Sequence, residues 1–94
     1  MNLLKPPLST DAILVWYHDF MVERLGAVPE GLTAETEFSS LGLDSMDGIV
    51  MAGHMEDRFG LKLEPEIFLR CLCLREVLEG FVKDGLLSPP AELA

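Results

Sequence analysis

The sequence predicts an all-α fold, a four-helix bundle with three longer helices and one short one. Three observations carry that expectation. Apolar residues recur at helical spacing in three stretches, and Gly26, Gly60 and Gly85 close them. No stretch carries a strand signal. Ninety-four residues make one small domain, near the size at which a single apolar core suffices without staples.

Residues 1–8 read as a flexible leader, because Pro6 and Pro7 prevent an early helix. Ser9 or Thr10 then caps a first helix over about 11–25. Ile13, Trp16 and Phe20 form one stripe of it, and Leu14, Tyr17, Met21 and Leu25 form the neighbouring one. Gly26 ends the helix. A long loop runs from Ala27 to Asp44, and a loop of that length needs anchors or carries function. Leu32, Phe38 and Leu41 are the expected anchors.

A second helix starts at Ser45 or Met46 and ends at Phe59, before Gly60. Met51, Ala52, Met55 and Phe59 share its core face, while Met46, Ile49, Val50 and Gly53 share another face beside Ser45. Gly48 and Gly53 each weaken a helix interior by about 1 kcal/mol relative to alanine. Two readings stay open for Gly53, a site of close backbone approach and a tolerated defect. Leu61 to Pro65 is extended and leads to a short helical turn over 66–70. The last helix covers 74–83, with Leu74, Val77, Leu78 and Phe81 inward and Cys73 where a Ser or Thr cap is expected. The folded domain is thus expected over residues 9–85, and Ser88-Pro89-Pro90 opens a loose tail over 86–94.

Composition narrows the function. Seven basic against sixteen acidic side chains give a formal net charge of −9. Nucleic acid and anionic membrane surfaces are therefore poor partners, since both need clustered Lys and Arg. A basic protein patch suits this charge better, mainly by raising the encounter rate. Cys71 and Cys73, the two cysteines, are badly spaced for a disulfide and form no C-x-x-C zinc pattern. With no signal-peptide pattern and no long apolar run, the expected setting is the cytoplasm.

The stretch Phe38-Ser39-Ser40-Leu41-Gly42-Leu43-Asp44-Ser45-Met46-Asp47 organises the chain. Gly42 marks a turn, and Asp44 and Ser45 are both good N-cap residues. Ser45 thus stands at a helix start, where free backbone N–H groups and the helix dipole favour a phosphate ester. Hydrolase chemistry does not fit. No G-x-S-x-G elbow surrounds Ser45, and His54 lies nine residues on, about 13 Å along the helix. His18 and His54 read as exposed surface histidines. Asp44, Asp47, Glu56 and Asp57 lack the spacing of a calcium loop, so no metal is expected.

Gly42-Leu43-Asp44-Ser45-Met46 resembles the G-x-D-S-[LM] motif of acyl carrier proteins, and the likeness extends from about Asp11 to Val82. The resemblance implies a role for each part of the motif. Ser45 carries 4′-phosphopantetheine, transferred from coenzyme A by a phosphopantetheinyl transferase. Asp44 orients the loop, caps the helix or contacts that enzyme. The resemblance also implies a carrier and not an enzyme. Its arm holds an acyl group as a thioester, with shelter between the second and third helices that Phe68 would edge; the alternative for Phe68 is a plain core role.

In carriers of bacterial fatty acid synthesis the position five after the serine is typically glutamate, whereas here it is Val50. Met46, Ile49 and Val50, with Gly53, then form an apolar docking strip edged by Asp47 and Asp57; the alternative for Val50 is a plain core role. With Phe38 ahead and Gly53-His54-Met55-Glu56-Asp57-Arg58-Phe59-Gly60 behind, the motif is similar to free-standing carriers of polyketide synthesis. Trp16 and Pro65 fit that group, while Cys73 departs from its Pro-Thr start of the last helix. Leu43 argues against a peptidyl or aminoacyl carrier, which more often has Gly-Gly there. The expected partners are an acyl-loading enzyme (an acyltransferase or acyl-adenylate ligase) and a ketosynthase or other downstream enzyme, visited by a monomer. A reading of another class is an unmodified helical module that binds a partner helix through Met46, Ile49 and Val50.

Overall fold

The computed structural model describes residues 8–87, so most of the expected leader and tail, Ser88-Pro89-Pro90 included, lies outside the described residues. Among the described residues there are four α-helices and no strand. In order they are α1 (Thr10–Leu25), α2 (Ser45–Phe59), α3 (Ile67–Arg70) and α4 (Leu74–Lys83). The expected all-α bundle of three longer helices and one short helix is the observed architecture.

Each boundary has a local cause. The Ser9 hydroxyl accepts the Ala12 N–H at 3.1 Å, which caps α1, and Gly26 ends it in the left-handed region at φ 88°. Gly60 ends α2 in the same way, its N–H bonded to the Glu56 carbonyl at 2.8 Å. The Glu56 side chain accepts the Leu63 N–H at 2.7 Å and so fixes the extended segment beyond Gly60.

Burial matches the expected stripes in α2 and α4. Met51, Ala52, Met55 and Phe59 of α2 meet Leu74, Val77, Leu78 and Phe81 of α4 in one core. From α1 come Ile13, Trp16, Tyr17, Phe20 and Met21. Leu25 is a correction: it is exposed, as the last residue of α1 before the chain turns away at Gly26. Leu8 packs partly on the core and Leu87 is buried in it. Aromatic rings link the layers. Phe38 meets Phe68 edge-on at 5.6 Å and Tyr17 at 6.4 Å, and Trp16 meets Phe68 at 6.2 Å. The buried Tyr17 hydroxyl has no partner among the described residues. Burial, and after it the nearby Cys73, pushes this phenol far above the usual range.

The first loop is more structured than the sequence suggests. Phe38–Leu41 forms a 3₁₀ turn, and the loop is stitched to the start of α4. The Phe38 N–H donates to the Leu72 carbonyl and the Arg75 N–H to the Ala34 carbonyl, both at 2.9 Å. Glu37 and Cys73 form an isolated antiparallel bridge between them. Leu32 and Leu41 pack partly on the core, and Phe38 is fully anchored in it.

Of the two readings of Gly53, the structure favours the tolerated defect over close backbone approach. No described atom approaches the place where a Cβ would stand, so nothing in the described domain explains this glycine. The close approach belongs to Gly48. A Cβ there would lie 2.8 Å from Leu69 Cδ2, so α3 rests on α2 where a side chain is missing.

Candidate functional site

Ser45 is the first residue of α2 and its side chain is exposed. The cap is Asp44, not Ser45. The Asp44 carboxylate accepts the Asp47 N–H at 2.9 Å, and the Asp47 carboxylate accepts the Asp44 N–H at 3.1 Å. This reciprocal pair is a capping box. It leaves the Ser45 hydroxyl outside the cap. The N–H groups of Ser45 and Met46 belong to the first turn and have no intrahelical acceptor. The positive end of the α2 dipole therefore sits beside an exposed hydroxyl.

Asp47 also pairs with Arg24 of α1, Nε to Oδ1 at 2.5 Å. The Asp44 N–H, then the Arg24 guanidinium, hold the Asp47 carboxyl below its usual range. Asp47 is two residues past Ser45, about 200° around the helix, and there it joins α2 to α1. Met46 is 61% exposed and Ile49 42%, whereas Val50 is half-buried and packs against the core. Gly53 and Asp57 are exposed farther along α2. The fully presented apolar residues of this strip are thus Met46 and Ile49.

On its other side Ser45 borders a groove of about 240 Å³ between α2 and α3. Phe38, Met51 and Phe68 line it together with Leu43, Leu69 and Leu72, and Asp44, Ser45 and Gly48 lie along its edge. Phe68 therefore has both of its anticipated roles, as a core residue and as an edge of this space. Cys71 also lines the groove, and burial, then the Glu76 carboxylate, raises its thiol above the usual range. Leu69 and Leu72 are exposed at the groove, and sequence reasoning did not single them out. The available signal was Gly48, whose missing side chain makes room for Leu69.

The histidines stay apart from Ser45. His18 is exposed with its ring nitrogen 2.8 Å from the Leu14 carbonyl, and His54 stands edge-on to Phe20 at 5.5 Å. Among the described residues no group of three or more His, Cys, Asp or Glu could hold a metal ion, and no helix is long and apolar enough to cross a membrane.

Residues 19–80 match the model of the phosphopantetheine attachment site family. The chain belongs to that carrier family. An acyl carrier protein of Bdellovibrio bacteriovorus is 32% identical over 68 residues, which cover 71% of this chain and 87% of that one. One from Streptococcus pyogenes is 34% identical over 55 residues, covering 58% and 74%. The kotanin synthase of Aspergillus niger is 32% identical over 59 residues, 63% of this chain. The chain spans only 4% of the length of that synthase and 3% of a second, non-reducing polyketide synthase from Gibberella fujikuroi.

The carrier's cofactor is 4′-phosphopantetheine, held covalently. Such carriers are modified by a phosphopantetheinyl transferase and do not themselves catalyse. The residues around Ser45 fit the group. A hydroxyl stands unhindered at a helix start, two first-turn N–H groups lack helical acceptors, and an apolar groove opens alongside.

Proposed function

We propose that Ser45 is the attachment residue, and that the protein delivers acyl groups between enzymes of a polyketide or related natural-product pathway. The observation that carries this reading is the Ser45 hydroxyl, exposed at the first position of α2 and at the edge of the groove. In the attachment step the Ser45 oxygen loses its proton and bonds the phosphorus nearest the pantetheine of coenzyme A. The pyrophosphate bridge breaks and adenosine 3′,5′-bisphosphate leaves. The base for that proton belongs to the transferase, because Asp44, the carboxylate next to Ser45, is engaged with the Asp47 N–H. Asp44 positions the serine by capping the helix. When bound, the arm supplies a terminal thiol that holds acyl groups as thioesters.

The polyketide setting is supported by the motif Gly42-Leu43-Asp44-Ser45-Met46, by Val50 in place of a glutamate, and by the two synthases among the similar proteins. The partners are a phosphopantetheinyl transferase, an acyl-loading acyltransferase or acyl-adenylate ligase, and a ketosynthase or other downstream enzyme. They dock on Met46 and Ile49, with Gly53 and Asp57 beyond; Val50 backs this strip from its half-buried position. Leu69 and Leu72 extend the apolar surface across the groove.

Incubation with coenzyme A and a broad transferase should add the mass of one phosphopantetheine to the wild type and none to Ser45→Ala, read by intact-protein mass spectrometry. A wild type that gains nothing, or an alanine variant that gains equally, removes Ser45 as the attachment residue. For the docking strip, Ile49→Glu should lower loading about tenfold without moving the melting temperature, as one exposed aliphatic contact is lost to the partner. Unchanged loading of the folded variant would remove Ile49 from the interface.

A further inference from the structure

We infer that the outward face of α1 is a docking site for an amphipathic helix of another protein, one whose apolar stripe is edged by Lys or Arg. A helix at the surface of a bundle needs one apolar face, and α1 has two. Its inner face fills the core. On the outward side Val15 is 55% exposed, Val22 48% and Leu25 41%. The outward side of α4 is made instead of Arg75, Glu76, Glu79 and Lys83, all exposed. Apolar residues scattered singly over a surface need no explanation, but these three are in line. With His18 they fall at alternating spacings of three and four, the seam of a coiled coil, over about 15 Å. The His18 ring is tied back along the helix, its Nδ1 2.8 Å from the Leu14 carbonyl. Valine is a poorer helix former than alanine, lysine or glutamate, so neither valine is there for the sake of α1 itself.

Charge chooses the occupant. Asp11, Asp19 and Glu23 are exposed beside this stripe. Arg24, the one Lys or Arg of α1, is engaged with Asp47 of α2. A second copy would set these carboxylates against their like, between two chains that each carry a net charge of −9. An anionic membrane surface meets the same sign. A helix with a basic edge meets opposite charge along the whole stripe. Asp19 and Glu23 stand between the stripe and α2, since both also line the cleft that α1 forms with His54 and Asp57. A partner seated on α1 therefore leaves Ser45, Met46 and Ile49 open. Such a contact suits a tether, which holds the protein in place while α2 is in use. It is independent of what Ser45 carries.

Two synthetic helical peptides serve as probes, both with Leu at the seam positions, one with Lys beside the seam and the other with Glu there. The like charges keep each peptide from pairing with itself. Each is titrated into the full chain with Ser45 unmodified, and the methyl resonances of Val15, Val22, Leu25, Met46 and Ile49 are followed by NMR. The Lys peptide should shift the three α1 signals and leave Met46 and Ile49 in place. It should bind at least tenfold more tightly than the Glu peptide, by a margin that shrinks as salt is added. Val22→Gln should weaken it about tenfold, the effect of one lost aliphatic contact, with the melting temperature unchanged. Asp19→Asn should narrow the gap between the two peptides. Shifts confined to Met46 and Ile49, equal binding of the two peptides, or no binding of either overturns the inference. Movement of the α1 signals on concentrating the protein alone, or on adding phosphatidylglycerol vesicles, also overturns it, in favour of a second copy or a membrane. None of these outcomes bears on the attachment at Ser45, which the mass measurement tests separately.

Discussion

Two helix starts in this small domain are secured in opposite ways. At α2, Asp44 and Asp47 exchange backbone hydrogen bonds at 2.9 and 3.1 Å within four residues of sequence. At α4, the capping position holds Cys73, whose side chain makes no cap bond. The second N–H of α4, from Arg75, instead reaches the carbonyl of Ala34 in the distant first loop at 2.9 Å. Glu76 turns back to accept the Leu72 N–H at 2.8 Å. One start is closed by local side chains and the other by tertiary contact. The difference reflects their tasks. Under the proposed attachment α2 must hold its first turn in place while leaving Ser45 open, and its cap sits on the residues either side of the serine. The start of α4 is wedged against the loop and has no such need.

The contrast can be broken most forcefully at Phe38. Its ring anchors the loop that satisfies α4, and truncation of a buried phenylalanine costs about 3–5 kcal/mol. Phe38→Ala should therefore leave the domain largely unfolded at ambient temperature, as judged by circular dichroism. A variant that melts within a few degrees of wild type would mean that the stitch holds without its anchor.

A smaller effect is expected at the local cap. Asp44→Ala should cost about 1 kcal/mol in denaturant titrations, whereas Ser45→Ala should stay within about 0.5 kcal/mol of wild type because the serine is the first helical residue and not the cap. Reversal of that ranking would move the cap to the serine.

Smaller still is the gain from repairing α4. Cys73→Ser supplies a hydroxyl at the capping position, but Ala34 already satisfies one of the N–H groups it would serve. An increase of about 0.5 kcal/mol is expected, at the low end for a cap. A gain well above that would show the tertiary closure to be weak.

The last test uses acid. The folded Asp47 carboxyl lies below its ordinary value of 3.8, so its contribution to stability is complete above that value. It is lost as the pH falls through the lower folded value. The wild type should lose stability below about pH 4 through this group, and Asp47→Asn should flatten that part of the curve. Parallel curves for the two proteins would show that the Asp44 N–H and Arg24 do not favour the charged form.

The features that the sequence determined by itself were those set within a few residues. Helical periodicity and the glycines at 26 and 60 located α1, α2 and α4 and their core faces, and the Asp44-Ser45 pair located the site at a helix start. The four residues of α3 were legible as a turn after Pro65. Other features depended on which distant segments meet. That Asp44 alone caps α2 comes from its exchange with Asp47, and Arg24 of α1 decides which way Asp47 faces. Val50 is half-buried because of the core packed beneath it, and Leu25 is exposed where α1 ends. The groove beside Ser45 exists only because Leu69 of α3 settles on Gly48. Periodicity reports how a helix divides its residues between inside and outside, but it does not name the neighbour. The neighbour is chosen when the loops close, and in this chain that choice made the groove, its lining and the second half of the apolar surface around the serine.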